Sequence, residues 1–430
     1  MKLPATPRIL SLLSLAVFLW IVYRVHSIAA RDPTSVFFDP STGYTPRYSA
    51  VRREQAAAFI ARANSQDYAW TKAQEGQRRL CVGIPSMATR GPEYLQDAVG
   101  SLLEGLTEDE RGEMYVVVFV PHSNPAVHGA YGQTWLSALT DHILTYNLSS
   151  PEEMKHVQEM EKEEGGEYRE KGVFDYHYLL EHCAEQQAPY VAIFEDDIVA
   201  ADGWFHRTLA ALEEAETRSA TEYASQTFLY LRLFYTEELH GWNSEDWLAY
   251  LATSFFVFIV PMGLLCYLRT QNAAANRILT NRVLLAIAAS ITTSIGLFFA
   301  LGRITVHPLP TGISLMPEFG CCSQALVFPT TIIPSLAAFF ASRRTGAPDV
   351  LLEDFARDKG GEDGLGKGLR WALSPSVVQH VGRESSKKDD FGEMSKYGMS
   401  VAETIWSFGF EDLKAGALRT EHGRVVREGS

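Results

Sequence analysis

The chain has 430 residues, with 52 Asp and Glu against 38 Lys and Arg, for a net charge of −14 at pH 7. That balance excludes a nucleic-acid surface, which needs basic patches, and the length suits one large domain or two medium ones. The hydrophobic share of 46% is ordinary, but it is concentrated in three runs.

The first run is Ile9 to Tyr23, preceded by Lys2 and Arg8. A basic flank followed by an apolar run reads as a signal peptide or a signal anchor, and Ser27-Ile28-Ala29 offers a small-residue cleavage site. The favoured reading is an uncleaved anchor with a short cytosolic tip, residues 1–26. Residues 27–75 then read as a stem. Arg31-Asp32-Pro33-Thr34 and Pro40-Ser41-Thr42-Gly43 are turn-rich, and Val51 to Asn64 is an Ala-rich helix.

The globular part opens with a short apolar strand, Arg79 to Pro85. Ser86 to Arg90 is the loop at its carboxyl end, and Glu93 to Leu106 has helical spacing. A second strand, Met114 to Val120, is closed by Pro121. Strand, loop, helix, strand begins a parallel α/β sheet, where ligands bind at the carboxyl ends of strands. Arg90 sits in the first such loop. It is a candidate phosphate contact or simply a solvated arginine. Asn147-Leu148-Ser149 is a glycosylation sequon. Residues 150–171, dense in Glu and Lys, read as a surface helix and a mobile loop around Gly165-Gly166. Lys171 to Gln186 is an amphipathic helix.

Tyr190 to Trp204 is the most informative stretch. Val191 to Phe194 is a buried strand, and Glu195, Asp196 and Asp197 follow without a gap. Adjacent acids repel one another, and a divalent cation relieves that repulsion. Carboxylates suit hard ions such as Mg2+ and Mn2+. Taken alone, such a triplet is more often a solvated turn. Gly203-Trp204 opens another helix, and Thr227 to Tyr235 has a strong strand composition.

The second and third apolar runs are Leu248 to Leu268 and Val283 to Leu301, the latter with an extension toward Val306. Both are free of charge and long enough to span a bilayer, and Pro261 and Gly263 are tolerated there. The loop 269–282 between them has three Arg and no acid. The positive-inside rule puts that loop, Lys2 and Arg8 in the cytosol, and residues 27–247 and 307–430 together on the luminal side. Trp242 and Trp247 suit the bilayer interface. Cys266 lies inside the second run. Cys81, Cys183, Cys321 and Cys322 fall where disulfides form, with three full pairings open.

Beyond the hairpin, Gly320 to Phe328 returns to a strand. Pro329 to Ser342 is an apolar helix too short to be a fourth span. Asp349, Glu353 and Asp354 fall within two helical turns, Asp349 and Glu353 sharing a face at i,i+4. Asp349 also reads as a helix cap. Leu373 to Gly382 reads as a strand carrying His380, and a lone His is usually structural. Residues 383–430 read as loosely ordered.

Seven segments, in order, resemble a known family: "VGIPSMATRGPEYLQDAVGSLL", "KGVFDYHYLLEHC", "YVAIFEDDIVAADGW", "LYLRLFYTEELHGW", "GCCSQALVFPTTII", "PDVLLEDF" and "LSPSVVQHVGRESS". They cover most of residues 80–386. They are similar to Golgi glycosyltransferases of A-type fold: N-acetylglucosaminyltransferase IV and, more closely, the family that adds N-acetylgalactosamine to GPI anchors. The hairpin after the "LYLRLFY" strand favours the GPI-modifying branch. The insert at 150–171 and the tail after Ser386 depart from the resemblance.

The resemblance implies a Rossmann-like mixed sheet in two parts, 76–247 and 307–386, interrupted by a transmembrane hairpin at 248–306 and followed by a tail at 387–430. It implies transfer of a hexosamine from a UDP-sugar to a mannose of the GPI glycan on GPI-anchored proteins in the Golgi, with inversion and with Mn2+ or Mg2+. By the same resemblance Asp197 is the direct metal ligand and His380 completes the metal or phosphate site. Glu195 and Asp196 contact ribose or metal-bound water. Asp349 is the general base, with Glu353 in reserve, and Arg90 and Lys171 hold the nucleotide. The rival readings are an N-glycan branching enzyme and a catalytically inactive membrane protein.

Overall fold

The computed structural model describes residues 5–429 apart from 66–70, 90, 163–167, 225, 317–321, 358–367 and 384–395. The expectations placed on Arg90, Gly165-Gly166 and Cys321 therefore lie outside the described residues. Two compact units are present: residues 1–45 with 237–309, and residues 46–236 with 310–430.

The second unit holds the strands β1 (Leu80–Pro85), β2 (Met114–Phe119), β3 (His142–Leu144), β4 (Tyr190–Phe194), β5 (Ile198–Ala200), β6 (Phe228–Arg232), β7 (Gly312–Leu315), β8 (Ala325–Pro329), β9 (Leu369–Ser374) and β10 (Val378–His380). Eight form one mixed sheet in the order β3-β2-β1-β4-β8-β6-β9-β7, and β5 pairs with β10 in a separate two-stranded sheet. β1 runs parallel to β2 and β4, whereas β8 is antiparallel to both β4 and β6. This is the mixed α/β architecture expected from the sequence.

Period-two alternation explains the layers. Along β4, Tyr190, Ala192 and Phe194 enter one apolar core, and Val191 and Ile193 enter the core on the opposite face. β1 divides the same way: Leu80, Val82 and Ile84 on one side, Cys81 on the other. Cys81 is bonded to Cys183 at the end of helix Tyr168–Ala184, which pins that helix to the sheet. Cys322 is also disulfide-bonded, and Cys266 is free. A side chain at Gly83 would come 3.0 Å from atoms of Ile193 and of Leu179, so the helix approaches the sheet closely only because β1 has a glycine there.

Three sequence expectations change. The segment Leu373 to Gly382 is not one strand. β9 ends at Ser374 and β10 begins at Val378, in different sheets. Pro375 lacks the N–H needed to continue a ladder. The helix of the stem, Tyr48–Ala63, belongs to the globular body: Tyr48, Phe59, Ile60 and Ala63 lie in the core. Its buried Arg52 donates to the Ala200 and Ser101 carbonyls and pairs with Glu104 and Asp202. Residues 401–429 are ordered as well. Helices Val401–Thr404, Phe408–Glu411 and Ala415–Gly429 bury Trp406, Phe408, Phe410 and Leu418. These few apolar residues, scattered among charges, give no sustained period from which a helix could be read.

The first unit contains Ala5–Ala29, Trp247–Gln271 and Asn281–Ala300, three helices long and apolar enough to cross a membrane. The third run does not extend smoothly to Val306. Gly302 stands at φ 93°, and a separate turn follows at Arg303–Val306. Asp32 is the reason. Its Oδ2 accepts from the Thr305 backbone N–H at 2.7 Å and the Thr305 hydroxyl at 2.9 Å, while its Oδ1 accepts from Thr34. A Cβ at residue 302 would lie 2.4 Å from Asp32 Oδ2. The amino-terminal helix and the hairpin are thus tied by one buried carboxylate at their common end.

Candidate active site

The acidic triplet follows β4 directly, where the chain leaves the sheet. Three neighbouring acids repel one another. The fold disperses that repulsion by sending each side chain to different partners. Glu195 Oε1 accepts from the Ser323 hydroxyl at 2.7 Å. Asp196 Oδ2 accepts from the Ser86 hydroxyl at 2.7 Å. Asp197 Oδ2 lies 3.1 Å from His380 Nε2. Asp196 and Asp197 are buried, and so is His380.

The pairing of β5 with β10 creates the Asp197–His380 contact. His380 stands opposite Ile198, and the Val381 N–H donates to the Asp197 carbonyl at 2.8 Å. His380 Nδ1 lies 3.1 Å from the Ile405 carbonyl, which only accepts, so Nδ1 carries a proton. Nε2 then has two states. It is protonated and paired with Asp197, or it turns a lone pair toward the carboxylate. In the second state nitrogen and oxygen form a two-ligand set for a divalent cation. Both groups pack against Gly382, the one residue type that fits there: a Cβ at that position would fall 2.2 Å from Asp197 Oδ2 and 2.9 Å from His380 Nε2. The donor set, one carboxylate and one imidazole, fits a metal ion.

Asp196 is held by a directed chain. The Ala130 N–H donates to His128 Nδ1 at 3.2 Å, so His128 carries its proton on Nε2. Nε2–H then donates to the Ser86 hydroxyl at 3.0 Å, and that hydroxyl donates to Asp196. Burial pushes the His128 pKa down, which keeps the ring neutral. His122 Nε2 accepts from the Ala88 N–H at 2.9 Å, and burial, reinforced by Lys171, lowers its pKa to about 4. Two neutral imidazoles from the segment after β2 thereby brace the loop after β1. Sequence reading missed Ser86, His122, His128 and Gly382. The rule that ligands gather at strand carboxyl ends marks those loops, but it does not say which side chains meet.

The other candidate residues divide. Lys171 is buried, and its ammonium donates to the Pro121 carbonyl at 2.7 Å, the Tyr146 hydroxyl at 2.9 Å and Asp175 Oδ2 at 2.7 Å. Its three protons are engaged, so it braces the loop that carries His122 and has none left for a phosphate. Glu353 is buried between Tyr230, Arg232 and Arg370, each donating to its carboxylate. These bonds anchor helix Pro348–Arg357 to β6 and β9. Asp349, in the first turn of that helix, is half-buried and accepts from the Val350 N–H at 2.9 Å. The phenol of Tyr176 is raised in pKa by burial, then by the charge of Glu195, with Asp349 adding and Arg232 opposing. Glu195 and Asp349, far apart in sequence, thus act on one phenol.

Comparison with known proteins places this mixed sheet, with its buried acids and imidazole at the strand ends, in a glycosyltransferase family. The chain belongs to the GPI-N-acetylgalactosamine transferase PGAP4 family, whose model matches residues 80–378. Curated relatives include mouse alpha-1,3-mannosyl-glycoprotein 4-beta-N-acetylglucosaminyltransferase C, 30% identical over 28% of this chain and 27% of the relative. Chicken alpha-1,6-mannosyl-glycoprotein 4-beta-N-acetylglucosaminyltransferase is 27% identical over 38% of this chain and 40% of the relative. The chain therefore spans less than half the length of these relatives. Among solved structures, the mannosyltransferase Ktr4p from S. cerevisiae overlaps 90% of this chain and 95% of its own, at 10% identity and a TM-score of 0.31.

Proposed function

We propose that this glycosyltransferase moves N-acetylgalactosamine from a UDP-sugar onto a mannose hydroxyl of the GPI glycan, with inversion, on the luminal side of the Golgi membrane. The observation that carries the reading is the Asp197–His380 corner beside Gly382, in a chain of the GPI-N-acetylgalactosamine transferase family.

Asp197 and His380 would hold Mn2+ or Mg2+, and imidazole favours the softer Mn2+. Bound there, the ion supplies positive charge to the diphosphate of the leaving UDP. Asp196, locked by Ser86 and His128, and Glu195, held by Ser323, present fixed acceptors to ribose hydroxyls or metal-bound water. Asp349 takes the proton of the acceptor hydroxyl as its oxygen attacks the anomeric carbon and the bond to the diphosphate breaks. Glu353 is set aside as the base because its oxygens are occupied by Tyr230 and two guanidiniums.

The chain crosses between the two units three times, at residues 45–46, 236–237 and 309–310. Several tethers to a membrane-embedded unit would keep the reacting groups near an acceptor that is itself membrane-anchored. The test is a UDP-sugar and acceptor panel with Mn2+ on the full-length protein, wild type against Asp197→Asn. Product on GPI acceptors, lost in the variant, is expected. Product on N-glycans alone would overturn the acceptor assignment in favour of the activity named for the curated relatives. Glycan at Asn147, exposed in the loop after β3, is the expected sign of luminal exposure. A band unmoved by peptide N-glycosidase would count against that orientation.

A further inference from the structure

A second cluster of metal-ligating side chains lies on elements that supply none of the residues assigned above. Glu110 comes from the short helix Glu108–Gly112, His206 from helix Trp204–Glu222 and His422 from helix Ala415–Gly429. One donor atom from each lies within 4.8 Å of the other two. In a tetrahedral zinc shell the donor atoms stand roughly 3.4 Å apart, so modest side-chain rotation closes the set.

Three observations distinguish this group from an ordinary surface ion pair. First, His422 is buried and its Nε2 lies 2.9 Å from both oxygens of Glu110; the two stacked imidazoles, with centroids 5.2 Å apart, must turn to aim their in-plane lone pairs at one ion. Second, both ring nitrogens of His206 are buried with no hydrogen-bond partner among the described residues. A buried polar atom left so is destabilising, and a metal bond from one nitrogen removes much of that penalty. Third, the backbone is shaped for the ring. Gly203 stands at φ 69°, and a Cβ there would fall 2.4 Å from His206 Cε1 and 3.4 Å from His422 Cβ. A left-handed glycine at this point seats His206 against His422.

We propose that Glu110, His206 and His422 form a zinc site, separate from the catalytic corner, that fastens the carboxyl-terminal helix to the globular body. Two imidazoles and one carboxylate suit Zn2+ better than Mg2+ or Mn2+, which bind imidazole more weakly. Water completes the fourth position. Glu421, whose Oε1 is 3.7 Å from His206 Nε2, already pairs with Arg207. The clamp has a purpose in the fold. The same terminal stretch provides the Ile405 carbonyl that orients His380, and Arg419, which pairs with Asp202 and Glu104.

The test uses full-length protein in detergent, stripped with a chelator and then given Zn2+ or Mn2+ alone. Elemental analysis after gel filtration is expected to find one Zn2+ per chain in the wild type and none in a His206→Ala/His422→Ala double variant. Zn2+ is expected to raise the melting temperature of the wild type more than that of the double variant and to slow proteolysis within residues 401–429 in the wild type alone, whereas any shift caused by Mn2+ is the same in both proteins. If the double variant fails to fold, His206→Gln, which keeps bulk near Gly203, serves instead and is expected to lose the zinc-induced shift. Wild-type protein that retains no zinc, or variants that retain as much, would reduce the cluster to a Glu110–His422 ion pair with a stacked neighbour. Zinc bound without any shift in melting or protection would overturn the clamp. These readouts do not depend on donor or acceptor identity.

Discussion

Two buried acids of the catalytic unit make an instructive contrast. Asp197 and Glu353 are equally well hidden from solvent, and each is reached by residues from distant parts of the chain. Glu353 is met by two guanidiniums and a phenol, so positive charge is supplied by the protein. Asp197 has an imidazole nitrogen 3.1 Å away and packs against Gly382, where a Cβ would clash with it. One acid holds a helix to a sheet. The other is the acid to which the proposed function assigns the metal ion. Burial alone does not distinguish structure from chemistry, but the nature of the partner does.

The contrast is tested most strongly through Glu353. Glu353→Gln leaves two guanidiniums in a buried site without their counter-charge, and breaking such a pair costs about 3–5 kcal/mol. The expected result is a large fall in thermal or denaturant stability. Unchanged stability would refute the structural role given to this acid.

Asp197→Asn is expected to act in the opposite sense. Activity should fall by about 10²–10³, the usual cost of losing a key transition-state contact, with little change in melting temperature. Gly382→Ala places a methyl in the same space and should cut activity without unfolding the protein. A variant at either position that melts early but keeps its specific activity would erase the distinction.

Ser86→Ala should have a smaller effect. It leaves His128 Nε2–H without its acceptor and Asp196 without its donor, a cost of about 1–3 kcal/mol. Activity measured against donor concentration should show a raised KM before a lowered kcat, because this chain positions an acceptor for the donor.

The smallest effect is a pH dependence. The folded-state pKa of His122 is lowered to about 4, chiefly by burial. Its contribution to stability is therefore complete above the unfolded value of about 6.5 and is lost as pH falls toward 4. Melting temperature should decline across that window. His122→Gln, which keeps an acceptor for Ala88 but does not titrate, should flatten the decline. A steeper fall in the variant would contradict the assignment.

Much of this was legible in the amino-acid order. The strands β1 and β4, the helix between β1 and β2, the three apolar helices and the place of the acidic triplet all follow from local patterns. The triplet was noticed for repulsion between neighbours, yet the fold removes most of that repulsion by turning its members apart. Lys171 looked available because a charged residue near a strand carries no sign of three acceptors waiting around it. The terminal helices were missed for the reverse reason: Trp406, Phe408 and Phe410 are too few and too irregularly spaced to announce a buried face.

Local chemistry was thus readable where it repeats over neighbouring residues. Strand alternation, apolar runs and arginine placement depend only on sequence distance, and they set the strands, the candidate spans and the family. Which acid meets which partner depends on contacts between residues far apart, such as 183 positions between Asp197 and His380 and 110 between Ser86 and Asp196. No periodicity spans such gaps. Only the packed sheet, with β5 laid against β10, decided that Asp197 faces an imidazole while Glu353 is enclosed by arginines.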